Sequence, residues 1–464
     1  MNQENTPSVD GLQLAKENYS AYSTEVARGR AYPQLADGAK SVYKRAIYGM
    51  YLNKSNKIVK VAELAAHALP YHPHPTSISG VIIQLGDGGN KLKLMDTQGN
   101  WGDSSKGIEA SAERYIGGRL SQLTEKLFCD SIEYCPTIKG EIDRDEPEAL
   151  PAYLPLCFIN GSSGIPSGLP TLNIPTLDII GMIDYYIDIL THKDLEYKPK
   201  KFPKPNLEIN IHSSVDEWNH ILETGKGSLK TGPIMSMENN TITITGLPAS
   251  KNVDHVRKII EKEILLDKLD LRDETTRELC IVIEKVPYKQ VDMKEIYKRL
   301  YTKLQSSETY NMAFFDKDKI YVPCGFDKVV KANINYLIKT HNNRITIQLQ
   351  QLKDKLEVLQ VIEKMKKTNF VKQLSEMDYD TAVQYIVTNY DCSDNCATKV
   401  LQKPISYLTK EHYQEIVDLE TDIQNLETDK KDIYEFLLRR YKELRIELNK
   451  LLKNKFKPTT FVKA

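Results

Sequence analysis

Apolar residues in the first 180 positions come in short clusters broken by glycine and proline, a pattern that predicts a compact helix-rich region with loops between its elements. In Pro75-Thr-Ser-Ile-Ser-Gly-Val-Ile-Ile-Gln-Leu85, the apolar residues Ile78, Val81, Ile82 and Leu85 fall at i, i+3, i+4 and i+7. This spacing predicts a short amphipathic helix with Thr76 or Ser77 as its cap. From about residue 200 to 330 the period shortens: Leu207–His212 and Thr241–Gly246 read as strands and Val253–Leu266 as a helix, which makes a separate α+β region. Beyond residue 330 a seven-residue repeat sets in at Ile338, Ile345, Leu352 and Leu359, with Leu349 and Leu356 between them. A second helical stretch, about Glu415 to Lys453, repeats at Leu437, Tyr441, Leu444, Leu448 and Leu451 and holds no proline. Two such helices of about 35 residues, each roughly 50 Å long, are expected to pair antiparallel and to carry a small globule at residues 368–412. The expected divisions are 1–175, 176–330 and 331–464.

Composition adds bounds. The chain has 464 residues, 41% hydrophobic and 27% charged, with 63 basic and 63 acidic side chains. Such a chain folds into about two to four domains, and its net charge of zero carries no signature of a polyanion ligand. Residues 1 to 120 hold 14 Lys or Arg against 11 Asp or Glu, so any grip on a polyanion there depends on placement. The seven cysteines are scattered and lack paired C-x-x-C spacing, which fits a reducing, cytoplasmic setting. Cys392 and Cys396 alone supply no matching pair for a metal. The amino terminus is polar, and no apolar run approaches the roughly 18 residues that span a bilayer. Thr224-Gly-Lys-Gly-Ser228 is not a nucleotide-binding P-loop, because His220 stands where its first glycine belongs and Gly227 follows the lysine.

Six ordered segments carry the candidate chemistry: Tyr22–Pro33; Asp37-Gly-Ala-Lys40 with Lys44-Arg45; Tyr71-His-Pro-His74; Gln98-Gly-Asn-Trp-Gly102; Gly107–Arg119, which contains Arg114-Tyr115; and Glu146-Pro through Ile174-Pro175. Together they resemble the breakage-reunion subunit of type IIA DNA topoisomerases, the family of the gyrase and topoisomerase IV A subunits and of the bacteriophage medium subunit. The resemblance implies a multidomain α+β fold: a winged-helix DNA-cleavage domain, an α+β tower domain, and a long antiparallel coiled coil ending in a small helical globule. It also implies a reaction. Tyr115 would attack a DNA phosphate and store the bond energy as a phosphotyrosine ester. A free phenol has a pKa of about 10, and the pentacoordinate phosphorus gathers negative charge, so cations are needed; by resemblance Arg114, Arg30 and His74 supply them. Lys40, Lys44 and Arg45 match a DNA-backbone cluster, His72 and Ser77 are further candidate DNA contacts, and Ile165 matches an apolar wedge that bends the duplex.

The chain departs from the family pattern at several places. Pro75 and Thr76 replace a glycine and an acidic residue after the second histidine, Ser41 stands at a usual proline, Lys44-Arg45 replaces Arg-Arg, and Thr97 replaces a glycine. These differences bear on loop geometry and on drugs that bind near Ser77. Asp143-Arg-Asp145 lies in a charged loop and is a poor metal site. The resemblance assigns ATP and Mg²⁺ to a partner subunit bearing ATPase and Toprim domains, and none to this chain. It further implies double-stranded DNA, a twofold homodimer and a heterotetramer in the cytoplasm. With no DNA-wrapping domain expected after the second arm, the resemblance implies relaxation or decatenation over supercoiling, and the compact length, missing tail and Lys, Asn and Ile richness suggest a phage or other mobile-element version. Two competing readings are a non-catalytic architectural dimer of the same fold and a tyrosine recombinase, whose catalytic tyrosine would lie near the carboxyl end.

Overall fold

The computed structural model describes residues 11–54, 56–140, 142–262, 268–276, 278–368, 373, 377–404, 406–407, 410–452 and 459–461. Two compact units divide the chain: Met1–Leu337 together with Arg440–Ala464, and Ile338–Arg439.

The first unit contains helix α1 (Gly11–Val26), a π-helical turn Ala27–Ala31, and helices α2 (Ser41–Leu52), α3 (Val61–Ala68) and α4 (Pro75–Leu85). Helices α2, α3 and α4 pack on one another. A three-stranded antiparallel sheet adjoins them in the order β1 (Val59–Lys60), β3 (Gly117–Leu120), β2 (Met95–Gln98). The four apolar positions of α4 are all buried. Its start differs from expectation. His74 is the N-cap and makes no side-chain cap bond, and Pro75 occupies the first turn. Proline there is preset to the helical φ and lacks only an N–H that would find no partner in the helix, so Thr76 and Ser77 lie inside the first turn.

A six-stranded sheet holds Ser162–Gly164 and Leu172–Ile174 at one edge, followed by Ser306–Asn311, Lys226–Gly232, Asn210–Ile211 and Thr460–Phe461. The expected strand 207–212 is thus reduced to Asn210–Ile211, while the tempting glycine-rich stretch becomes a helix cap at Gly225 followed by the strand Lys226–Gly232. A separate four-stranded sheet, in the order Ile234–Glu238, Thr241–Gly246, Ile281–Lys285, Leu269–Asp273, is backed by the helices Val253–Lys262 and Met293–Leu304. Its core is wholly apolar, built on Ile242, Ile244, Val256, Ile281, Ile283 and Leu300 with their neighbours. Residues 263–266 of the expected helix lie outside the described residues.

Helix Phe326–Met365 is continuous. In the first unit it contributes Asn333, whose amide donates to the carbonyls of Ala36 (2.6 Å) and Ala152 (2.9 Å) and accepts from Tyr186 (2.8 Å). This fully satisfied buried amide fixes the helix start against the loops around Asp37 and Leu150.

In the second unit that helix runs antiparallel to a partner: Phe436 meets His341 and Arg344, Lys353 pairs with Glu427 and Lys355 with Glu415. The partner is not one helix, as the apolar repeat suggested. It breaks at Asp432 (φ −135°, ψ 77°) into Tyr413–Lys431 and Ile433–Leu452. The repeat also shifts at its end, where Leu452 is buried and Leu451 exposed; Lys453 lies outside the described residues. Within the expected globule, helices Tyr379–Tyr390 and Asp394–Leu401 pack Ile386, Ala397 and Val400 on Val358, Val361 and Ile362.

Candidate functional site

Tyr115 lies in the segment 99–116 that joins β2 to β3. Local chemistry fixes this segment from within. Asn100 accepts from the Gly102 amide (3.0 Å) and donates to the Glu109 carbonyl (3.1 Å). Trp101 is buried, with its Nε1 donating to the carbonyls of Gln98 (3.2 Å) and Gly117 (3.1 Å). The indole lies over Gly118 so closely that a Cβ there would fall 2.7 Å from the ring. That approach explains the glycine at 118; at Gly117 a Cβ would instead fall 3.0 Å from Ile58 and from the Val59 carbonyl oxygen. Ile116 is buried beside it, which turns the next side chain outward: Tyr115 is 64% exposed. The Arg114 guanidinium stands 4.7 Å from its ring centroid, and Lys60 donates to its carbonyl at 3.1 Å. A cation over the ring face is attracted by the ring's quadrupole, which sets Arg114 and Tyr115 side by side.

A second group gathers around a hairpin. Strands Ser162–Gly164 and Leu172–Ile174 pair antiparallel, and the chain between them presents Ile165, 85% exposed. Lys40, the N-cap of α2, donates to the Ser163 carbonyl at 2.6 Å, and burial pulls its ammonium pKa down. The π-helical turn that carries exposed Arg30 abuts the same hairpin, since Gly164 lies against the Ala31 carbonyl. Ser41 ties that turn to α2 through the Arg28 carbonyl (2.8 Å). The turn that carries Arg30 and the Lys40 ammonium thus both adjoin the hairpin that carries Ile165.

A third group is buried. Lys44 was expected on a DNA-facing basic cluster; it is only 3% exposed and is bonded to Glu146 Oε1 at 3.0 Å and to the Pro147 carbonyl at 2.8 Å. His72, a candidate contact as well, is likewise buried. Both side chains lie in the interior: α2 turns its Lys44 face toward the segment 146–150, and His72 sits in the turn between α3 and α4. Arg45 Nε bonds to Glu146 Oε2 at 2.9 Å, and its Nη1 lies 3.4 Å from His72 Nδ1. The His72 and His74 rings meet edge to face, with centroids 4.7 Å apart. His74 and Ser77 are exposed at the start of α4. Nearby, the buried Asp37 carboxylate accepts from the amides of Ala39 and Leu150, both at 2.8 Å. Burial raises its pKa to about 6, against the opposing pull of those bonds and of Lys44.

The motifs contain Glu146 and Asp37 without marking either as an interior charge, and no motif marks Lys60. The signal for Glu146 was there to be read: Lys44 sits three residues before Ile47 on the apolar side of α2, and a lysine there needs a counter-charge. Asp145, half of the D-x-D pair, forms an exposed ion pair with Lys139. Among the described residues no group of three or more His, Cys, Asp or Glu is disposed to hold a metal ion, and no helix is long and apolar enough to cross a membrane.

A three-helix and three-strand assembly that displays a tyrosine beside an arginine, joined to a hairpin with an exposed isoleucine, defines a class also visible by comparison. Residues 30–451 match the family model for the A subunit of DNA gyrase/topoisomerase IV, and the chain belongs to that family. It is 27% identical over 432 residues to the DNA topoisomerase 4 A subunit of Haemophilus influenzae, covering 88% of this chain and 57% of that protein. With its Escherichia coli K12 counterpart it shares 27% over 369 residues, 75% of this chain and 49% of that protein. With the DNA gyrase A subunit of Thermotoga maritima it shares 25% over 460 residues, 92% and 54% respectively. The chain spans about half the length of these curated relatives.

Proposed function

We propose that this chain is the DNA-cleaving and religating subunit of a type II topoisomerase, with Tyr115 as nucleophile. The observation that carries the reading is the presentation of Tyr115: exposed, on a loop hydrogen-bonded within itself, and faced by the Arg114 guanidinium. In the reaction the Tyr115 oxygen bonds to phosphorus, the bond from phosphorus to the 3′ oxygen breaks, and that oxygen leaves with a proton. The product is a 5′-phosphotyrosine and a free 3′-hydroxyl, and the reverse attack reseals the strand. Arg114, Arg30 and His74 neutralise the charge that develops on phosphorus. Lys40 and Ser77 take DNA contacts, and Ile165 enters the base stack and bends the duplex. We read α2–α4 with the sheet β1–β3 as a winged helix, the four-stranded module as part of the tower, and residues 338–439 as coiled-coil arms with a terminal globule.

One tyrosine cuts one strand, so two copies act as a dimer. ATP and Mg²⁺ belong to a partner subunit in a cytoplasmic heterotetramer; when bound there, the metal supplies charge neutralisation at the phosphate. The test is covalent trapping. Purified chain, an ATPase/Toprim partner, Mg²⁺ and supercoiled plasmid are quenched with denaturant, for wild type and for Tyr115→Phe. Protein-linked linear DNA with wild type alone is expected. Binding and bending without attachment across partners and metals would leave an architectural dimer in its place.

A further inference from the structure

Glu146 is 1% exposed and faces two cations at once, Lys44 at 3.0 Å and Arg45 at 2.9 Å. Lys44 is occupied entirely inside the protein, on Glu146 and two backbone carbonyls. Arg45 is different: having bonded Glu146 through Nε, it turns Nη1 toward His72 Nδ1 at 3.4 Å. A guanidinium can only donate, so in this contact Nδ1 is the acceptor, which is the arrangement of a His72 ring carrying its proton on Nε2. His72 in turn meets His74, ring to ring at 4.7 Å and through the His74 amide donating to the His72 carbonyl at 2.8 Å.

We propose that Glu146 is a positioning residue for strand cleavage: it fixes Arg45, Arg45 fixes the tautomer and plane of His72, and His72 holds the His74 ring at the angle from which it meets the phosphate. This rests on the reading that His74 faces the scissile phosphate. It assigns the basic pair Lys44-Arg45 an interior task, with the buried carboxylate as its anchor. Chemical geometry at a phosphate is steep in position: misplacement of a catalytic group by about 1 Å costs on the order of a hundredfold in rate.

The test is a double-mutant cycle in the full chain with its ATPase/Toprim partner, measuring the single-turnover rate of covalent complex formation and, separately, DNA affinity. Arg45→Lys keeps the cation beside Glu146 but has no planar fork to reach His72. The expected result is a loss of cleavage rate of about ten- to hundredfold, with DNA affinity held within about threefold. In a His74→Ala background the same substitution should cost less than about threefold. Glu146→Gln, checked for folding by its melting curve, should repeat the pattern. Imidazole ¹⁵N shifts should show His72 protonated on Nε2 in the wild type and no longer so fixed in Arg45→Lys. Equal losses in both backgrounds, a fall in affinity that tracks the fall in rate, or an Nδ1-protonated His72 in the wild type would each overturn the proposal while leaving Tyr115 as nucleophile. A wild-type chain that never becomes attached to DNA would remove the functional reading and this proposal together.

Discussion

Two regions of the first unit use burial in opposite ways. The four-stranded module of residues 234–304 has an apolar core, and among its described residues no polar or charged side chain is buried. The region that carries Tyr115, His74 and Ile165 instead buries Asp37, on the amides of Ala39 and Leu150, and Lys44, Glu146 and His72, which are linked through Glu146 and Arg45. Removing such groups from water costs free energy unless each finds a partner. An apolar core of equal volume would serve stability as well or better. What the polar interior adds is fixed direction: each donor and acceptor has one geometry that satisfies it, so α2, the segment 146–150 and the turn bearing His72 and His74 are held in register with one another.

The contrast is most directly challenged at Glu146. Glu146→Ala leaves Lys44 and Arg45 without their carboxylate, and a loss of about 3–5 kcal/mol is expected, read from the denaturant midpoint; a loss under about 1 kcal/mol would mean the network is dispensable. In the apolar module, Ile283→Ala should cost about 2–5 kcal/mol through the cavity it leaves. That cost should be the same at pH 5 and pH 7, since no titrating group is buried there among the described residues.

Asp37 probes the same contrast through pH. Its carboxyl is raised from 3.8 to about 6 by burial, so the folded protein holds the proton more tightly than the unfolded chain. The stabilisation is complete below about pH 4 and is lost as pH rises through about 6. A shift of about two units corresponds to about 2–3 kcal/mol. Asp37→Asn should flatten the dependence of unfolding free energy on pH between 4 and 6; an unchanged slope would assign it to other groups.

Smaller effects are expected at the loop that carries Tyr115. Gly118→Ala places a Cβ 2.7 Å from the Trp101 ring and should cost about 1–3 kcal/mol by overpacking, accompanied by a shift in Trp101 fluorescence. Ile165→Ala is the smallest change for stability, within about 0.5 kcal/mol because the side chain is exposed. In the functional reading it should still reduce DNA bending measured by energy transfer between labelled duplex ends. Normal bending in this variant would remove Ile165 as the wedge.

Much of this architecture can be read along the chain, and the exceptions share a cause. The apolar spacing of α4 located its buried face at Ile78, Val81, Ile82 and Leu85, and Thr241–Gly246 alternates as a strand and pairs as one. The cap of α4 was misplaced because Pro75, by its own ring, outcompetes hydroxyl capping two positions later. The break at Asp432 has no glycine or proline to announce it, so the repeat read through it. In the site, Gln98–Gly102 and Arg114-Tyr115 were legible as motifs. The reason Gly118 must be glycine lies in the placement of Trp101 across the sheet.

The periodic elements, the order of the motifs and the tyrosine beside an arginine follow from the sequence, because those depend on neighbours within a few residues. It took the folded chain to turn Lys44 inward, to bring up Glu146, 102 residues away, as its counter-ion, and to let Arg45 rather than Lys44 reach His72. A charge is committed to a partner only when the packed chain removes water from it. Desolvation is a property of the assembled interior, and no spacing along the chain encodes which distant carboxylate will be there to meet it.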